Sequence, residues 1–252
     1  MKTVLLLGDI TGRSRVALRM LSRVLEDKGH EVLMLPTALI SNTLNLGMHE
    51  ALDTTDYLLR SLDTWEKLGL RYDMAYIGYI TGMEQAKALA TAADRLREKG
   101  VRVVVDPILG DNGRKYNSVS QEQAEGMKLL CRHADLITPN MTEACLLADA
   151  PYDAAQGEAL ARALAQSGAA VLITSAEGAQ GRAAMLVCEG GKLTEIPFDR
   201  VPGHHWGTGD LFTGLLMDAL LMGKGTQDAA REAGAHVAAQ LRGEERSLLP
   251  RQ

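Results

Sequence analysis

The feature that most constrains this chain is a repeated unit. A short β-branched or leucine-rich run meets a glycine or proline break, and a longer stretch with apolar positions at helical spacing follows. Runs at 3–7, 31–35, 74–77, 101–105, 135–138 and 170–174 read as buried strands, and 16–25, 55–68, 84–99, 121–132, 142–147 and 156–166 carry helical periodicity. Strands apolar on both faces, alternating with helices, require a mostly parallel sheet covered on both sides. The spacing predicts a turn at Gly8-Asp9-Ile10-Thr11-Gly12 after the first strand and a stop to the second at Pro36. Near the end, 184–188 and 192–196 flank Glu189-Gly190-Gly191 as a hairpin, and helices at 209–221 and 226–241 finish the chain. No linker, repeat or low-complexity segment divides the 252 residues, so one three-layer α/β domain over 1–252 is expected.

Composition narrows the function classes. A hydrophobic content of 46% with only 4% aromatic residues predicts an Ala/Leu/Val interior. The net charge of −5 comes from interspersed signs, with no basic stripe for nucleic acid. Cys131, Cys145 and Cys188 form no C-x-x-C pair, which fits a reducing compartment and argues against a disulfide or zinc framework. The apolar run at 4–7 is too short for a signal peptide or a membrane span, so a cytoplasmic protein is expected.

In open α/β sheets ligands lie beyond the carboxyl ends of the strands. That expectation sets 8–12, 41–47, 78–81, 106–116, 138–143 and 174–178 along one rim. The segment Gly203-His204-His205-Trp206-Gly207-Thr208-Gly209-Asp210 opens the apolar helix at 209–221. A helix mouth attracts anions, glycines let a phosphate reach the backbone, and Asp210 beside it can take a proton from an alcohol. His204 and His205 are read as pocket lining. Asp106 and Asp111 on the loop Asp106-Pro107-Ile108-Leu109-Gly110-Asp111-Asn112-Gly113 can hold hydrated Mg²⁺, or merely cap turn amides. In Thr138-Pro139-Asn140-Met141-Thr142-Glu143, Glu143 can reach the same metal through water and Asn140 a phosphate; the same spacing makes a capping box. No G-x-G-x-x-G, P-loop or G-x-S-x-G motif is present.

Three stretches, 106–116, 137–144 and 205–212, resemble in order the motifs of the ribokinase-like superfamily and its vitamin B6 kinases, the pyridoxal and pyridoxamine kinases. Residues 36–42 and 65–69 extend the resemblance toward bacterial pyridoxamine kinases. It implies a ribokinase-like fold and ATP-dependent phosphorylation of a hydroxymethyl group. Asp210 would then be the base, and the amides of Gly207, Thr208 and Gly209 the anion hole. Asp106 and Glu143 would position Mg²⁺ and ATP, with Asn140, Thr174 and Gly209 near the nucleotide. Asp9, Ser41 and Tyr79 would line the substrate pocket. The substrate loop departs from the family's Ser-Asn-His-Thr-Gly: Thr43 and Leu44 replace its His and Thr, and Asn45 is the nearest polar substitute. That change keeps hydroxymethylpyrimidine or another small alcohol open as the substrate. The resemblance also implies a homodimer, and it leaves open a monovalent cation and a non-catalytic binding module on the same scaffold.

Overall fold

Alternation along the central strands decides which helices each sheet face receives. The computed structural model describes residues 1–43, 48–202, 206–245 and 247–249; Leu44, Asn45, His204 and His205 lie outside the described residues. In chain order the elements are β1 (Thr3–Thr11), α1 (Leu18–Asp27), β2 (Glu31–Ile40), β3 (Ala51–Asp53), α2 (Thr55–Lys67), β4 (Met74–Ile77) and α3 (Met83–Glu98). There follow β5 (Arg102–Val105), β6 (Gly110–Asp111), β7 (Arg114–Lys115), α4 (Gln121–Cys131), β8 (Leu136–Ile137), α5 (Met141–Leu147) and α6 (Gly157–Leu164). The last are β9 (Ala170–Glu177), β10 (Ala183–Glu189), β11 (Lys192–Pro197), α7 (Thr208–Leu221) and α8 (Thr226–Arg242).

Nine strands form one sheet in the order β11-β10-β9-β8-β5-β4-β1-β2-β3. From β2 to β9 every pairing is parallel; β3, β10 and β11 join antiparallel to their neighbours. Leu5 and Leu7 of β1, Ala75 and Ile77 of β4, and Val103 and Val105 of β5 pack under α2 to α6. Their neighbours Val4, Leu6, Met74, Tyr76 and Val104 point the other way, under α1, α7 and α8. Each such buried aliphatic side chain contributes about 1.5–3 kcal/mol relative to exposure. The three-layer expectation holds.

Several local expectations change. β1 continues through Gly8-Asp9-Ile10-Thr11, so Asp9 sits on a strand rather than in a turn. Pro36 does not stop β2: the strand runs on to Ile40, with the register slipping from Gly8↔Pro36 to Asp9↔Ala38. A proline is tolerated at such a bulge because the ladder is already interrupted there. β3 was not anticipated; three residues are too few to show a period. Nor was the β6–β7 hairpin, although its turn is Asn112-Gly113, a strong hairpin dipeptide. The β10–β11 hairpin turns on Gly190 and Gly191, both left-handed at φ 57° and 78°, as a two-residue turn matched to strand twist requires.

Candidate active site

The site begins at the start of α7. Gly207 precedes the helix at φ +80°, a conformation that costs an L side chain but not glycine. The first intrahelical bond runs from Leu211 N–H to the Gly207 carbonyl at 2.9 Å. Among the described residues a Cβ placed at Gly209 would meet no atom within 4 Å, which leaves room at the helix mouth for an anion. On the other side α7 lies close against α1. A Cβ at Gly214 would come within 3.0 Å of Val24, so only a residue this small permits the approach. Among the described residues Asp210 accepts one hydrogen bond, from the Ala17 backbone N–H to Oδ2 at 2.8 Å. The side chain is half-buried. Desolvation of its carboxyl pushes its pKa up to about 6, and the Ala17 amide partly opposes the rise.

Three further carboxylates converge from the strand ends. Asp9 on β1 is buried and pushed up to about 7, first by burial and then by Asp210. Asp106, just beyond β5, rises to about 7 by burial and by Asp210. Glu143, in the first turn of α5, is raised well above the ordinary range by burial and by Asp106. Thr213, one turn along α7 from Asp210, donates to Asp106 Oδ2 at 3.1 Å. Thr11 Oγ1 is buried without a hydrogen-bond partner among the described residues, while the buried Thr138 hydroxyl faces Asp106 and, like Thr213, favours its ionised form. A buried cluster of carboxylates is the donor chemistry that suits a hard cation. Among the described residues no three acidic, His or Cys side chains form a ready ligand set. One or two carboxylates with waters and phosphates is the usual Mg²⁺ arrangement, and it fits this one.

The capping reading of Asn140 and Glu143 holds in full. Asn140 Oδ1 accepts from Glu143 N–H at 3.0 Å, and Glu143 Oε2 accepts from Asn140 N–H at 2.8 Å. Glu143 Oε1 also accepts from Leu109 N–H at 3.2 Å, and Asn140 Nδ2 donates to the Gly110 carbonyl at 2.8 Å. With both oxygens engaged, Glu143 is suited to a metal only through water. Asp111 is different: its carboxyl caps Asn112 through both backbone and side-chain nitrogens, at 2.8 and 2.9 Å. Asp111 is exposed, and the turn-capping alternative describes it.

Tyr79 is buried beside Ala38, Ile40 and Ile108, an apolar patch close enough to Asp9 to feel its charge. Gln123 Nε2 donates to its hydroxyl at 2.9 Å, and Thr37 Oγ1 donates to its carbonyl at 2.6 Å. Ser41 lies at the end of β2, where its hydroxyl accepts from Glu50 N–H at 2.9 Å and closes the loop base. Thr174 stands on β9, its N–H donating to the Pro139 carbonyl at 3.0 Å, one residue before Asn140. The structure thus brings together Asp9, Asp106, Glu143 and Asp210, and sets Asn140 and Thr174 on one flank and Tyr79 on the other.

Sequence reasoning missed Ala17, Thr213 and Tyr76. Thr213 was findable, three residues beyond Asp210 on one helix face. Tyr76 lies beneath the cluster: burial, then Asp106, Asp210, Asp9 and Glu143, raise its hydroxyl far above the usual range. Strand alternation placed it on the α7 side but gave no sign that its ring ends at the acids. Ala17 acts through its backbone and leaves no side-chain signal.

Comparison with known proteins places this geometry. The phosphomethylpyrimidine kinase family model matches residues 36–248. A pyridoxine/pyridoxal/pyridoxamine kinase of Bordetella avium is 29% identical over 168 residues, 64% of this chain and 57% of that one. The chain spans about half the length of the curated relatives it matches. Among solved structures, a Bacteroides thetaiotaomicron protein assigned as a phosphomethylpyrimidine kinase, in a crystal form with pyridoxal, superposes with a TM-score of 0.86 at 30% identity. The match covers 96% of this chain and 88% of that one. The pyridoxal kinase of Lactobacillus plantarum gives 0.83 at 27% identity, covering 98% and 91%. The expected ribokinase-like fold is therefore the observed one. With a family match over well more than half its length, this chain belongs to the phosphomethylpyrimidine kinase family.

Proposed function

We propose that this protein transfers the γ-phosphoryl group of ATP to the 5′-hydroxymethyl group of pyridoxal or pyridoxamine. The observation that carries the reading is Asp210: a carboxyl poised near pH 6 at an open, glycine-lined helix mouth, with Asp106 one hydrogen bond away through Thr213. The solved relative with pyridoxal and the curated B6 kinase support the substrate class.

In this reading Asp210 accepts the proton of the substrate alcohol as its oxygen bonds the γ-phosphorus. The bond from that phosphorus to the β,γ-bridging oxygen breaks, and ADP leaves with the electron pair. The first-turn amides at Gly207, Thr208 and Gly209 face the charge that builds on the phosphoryl oxygens. Asp9, Ser41 and Tyr79 hold the ring, with Leu44 and Asn45 from the substrate loop. Asp106, Asn140, Glu143, Thr174 and Gly209 hold the nucleotide. Mg²⁺ would neutralise charge on the phosphates, and Asp106, with Glu143 through water, would hold it. A monovalent cation belongs to the same reading as an optional activator.

The reading includes a homodimer and a cytoplasmic location. The edge strand β3 exposes Leu52, and Leu39 and Tyr57 lie exposed beside it around a hollow of about 530 Å³, an apolar surface that a second copy would cover. The three cysteines are buried and free, as in a reducing compartment. Among the described residues no helix is long and apolar enough to cross a membrane.

A coupled ADP-release assay over pyridoxal, pyridoxamine, pyridoxine and hydroxymethylpyrimidine tests the reading. Turnover of a B6 vitamer, abolished by Asp210→Asn, is expected. Turnover of hydroxymethylpyrimidine alone would move the substrate to the one the family name describes. Inertness toward all four with nucleotide bound would favour a binding module instead.

A further inference from the structure

Ala17, the residue before α1, has φ +53° and ψ −137°, backbone geometry that L residues avoid because Cβ crowds the main chain. The same loop holds Ser14 at φ +70°, and the Arg19 guanidinium pins it through the Thr11 and Ser14 carbonyls at 3.5 and 3.4 Å. The distorted loop ends in one directed contact, the Ala17 N–H on Asp210 Oδ2. The charge of Asp210 raises the pKa of both Asp9 on β1 and Asp106 beyond β5, so three acids share one buried space in which Asp210 is the first to ionise. Further along, Gly214 passes close to Val24, so α1 and α7 pack against each other beyond the Ala17–Asp210 contact at their starts.

We propose that Ala17 is a positioning residue: its strained amide holds Oδ2 of Asp210 and leaves Oδ1 facing the substrate alcohol. The proposal rests on the kinase reading of Asp210. Strain of this kind persists where the surrounding fold imposes it, and here it keeps a donor aimed at an acid that burial disfavours in its ionised form. The amide also favours the ionised form, which is the form that accepts a proton.

The decisive variant replaces Ala17 with lactate, turning one amide into an ester and deleting only the N–H. We expect kcat for pyridoxal to fall about tenfold or more while KM for ATP stays within about twofold. Ala17→Gly keeps the amide and should retain more of kcat than the ester. An ester variant at the wild-type kcat, or equal losses in both variants, would overturn the proposal. A readout independent of turnover is the Ala17 amide proton resonance. It should lie downfield in the wild type and move upfield in Asp210→Ala, and an unmoved resonance would overturn the contact. A wild type inert toward every B6 vitamer overturns the kinase reading, and the catalytic part of this inference with it, while the resonance still reports the contact.

Discussion

Thr213 Oγ1 and Asp106 Oδ2 are joined by a 3.1 Å hydrogen bond between two buried side chains that lie 107 positions apart in the chain. Through it, the helix that carries Asp210 is tied to the loop that carries the acid best placed for a metal. The bond also favours the ionised Asp106 against burial and against Asp210, the two influences that raise its pKa.

Thr213→Val removes that donor and keeps the shape. The expected cost is about 1–2 kcal/mol of folding stability, since a buried acceptor loses its partner. Asp106 is pushed further up, so more Mg²⁺ is needed for half-maximal rate at pH 7. Chemical denaturation and an Mg²⁺ titration of the rate measure the two effects. Unchanged values in both would show that the contact matters to neither.

Asp210→Asn removes the base and leaves the helix mouth intact. A loss of about 10²–10⁴-fold in kcat is expected, with KM for ATP little changed. In the wild type the base must be ionised, so kcat should fall as pH drops through about 6. A pH–rate profile flat from 5 to 8 would contradict the assignment.

The carboxylate cluster gives folding stability an unusual sign. The pKa values of Asp9 and Asp106 move from 3.8 up to about 7 on folding. Their contributions are whole below about pH 4 and are lost as pH rises through 7. The metal-free protein should therefore melt at a higher temperature at pH 6 than at pH 8, and Asp9→Asn should narrow the gap. Mg²⁺ should raise the melting temperature more at pH 8, where the cluster is ionised. Differential scanning calorimetry at the two pH values, with and without Mg²⁺, decides; a higher melting temperature at pH 8 without metal would refute the sign.

Asn140→Ala breaks the reciprocal cap of α5 and frees the Gly110 carbonyl. About 1–2 kcal/mol of stability should be lost. Because Glu143 then keeps only part of its amide cradle, KM for ATP should rise more than KM for the vitamer. Denaturant melts and two-substrate kinetics measure this, and a rise confined to the vitamer would place Asn140 on the wrong flank.

Legibility in the sequence followed physical range. β4 lies where its apolar run predicts, and α2, α4 and α7 fall within a residue or so of expectation, because helical and strand periods are local. β1 and β2 outran their predicted ends because they pair with each other out to Thr11↔Ile40, with β3 antiparallel on the far edge of β2, an effect of partners distant in sequence. The candidacy of Asp210, Asp106 and Glu143 as site residues showed in glycine, proline and acid spacing. Their mutual repulsion did not, since it depends on how closely three strand ends and one helix mouth approach.

The sequence alone determined the alternation that builds the sheet, the glycine-flanked acid at the start of α7 and the departure from the family pattern at Thr43 and Leu44. Only the tertiary structure decided which acids share a site, that Asp111 caps a turn while Asp106 is buried, and that the left-handed Ala17 donates its amide to Asp210. Periodicity and turn chemistry act over a few residues and are written in residue types. Burial, charge repulsion and a directed amide arise from segments that meet only when the chain has folded.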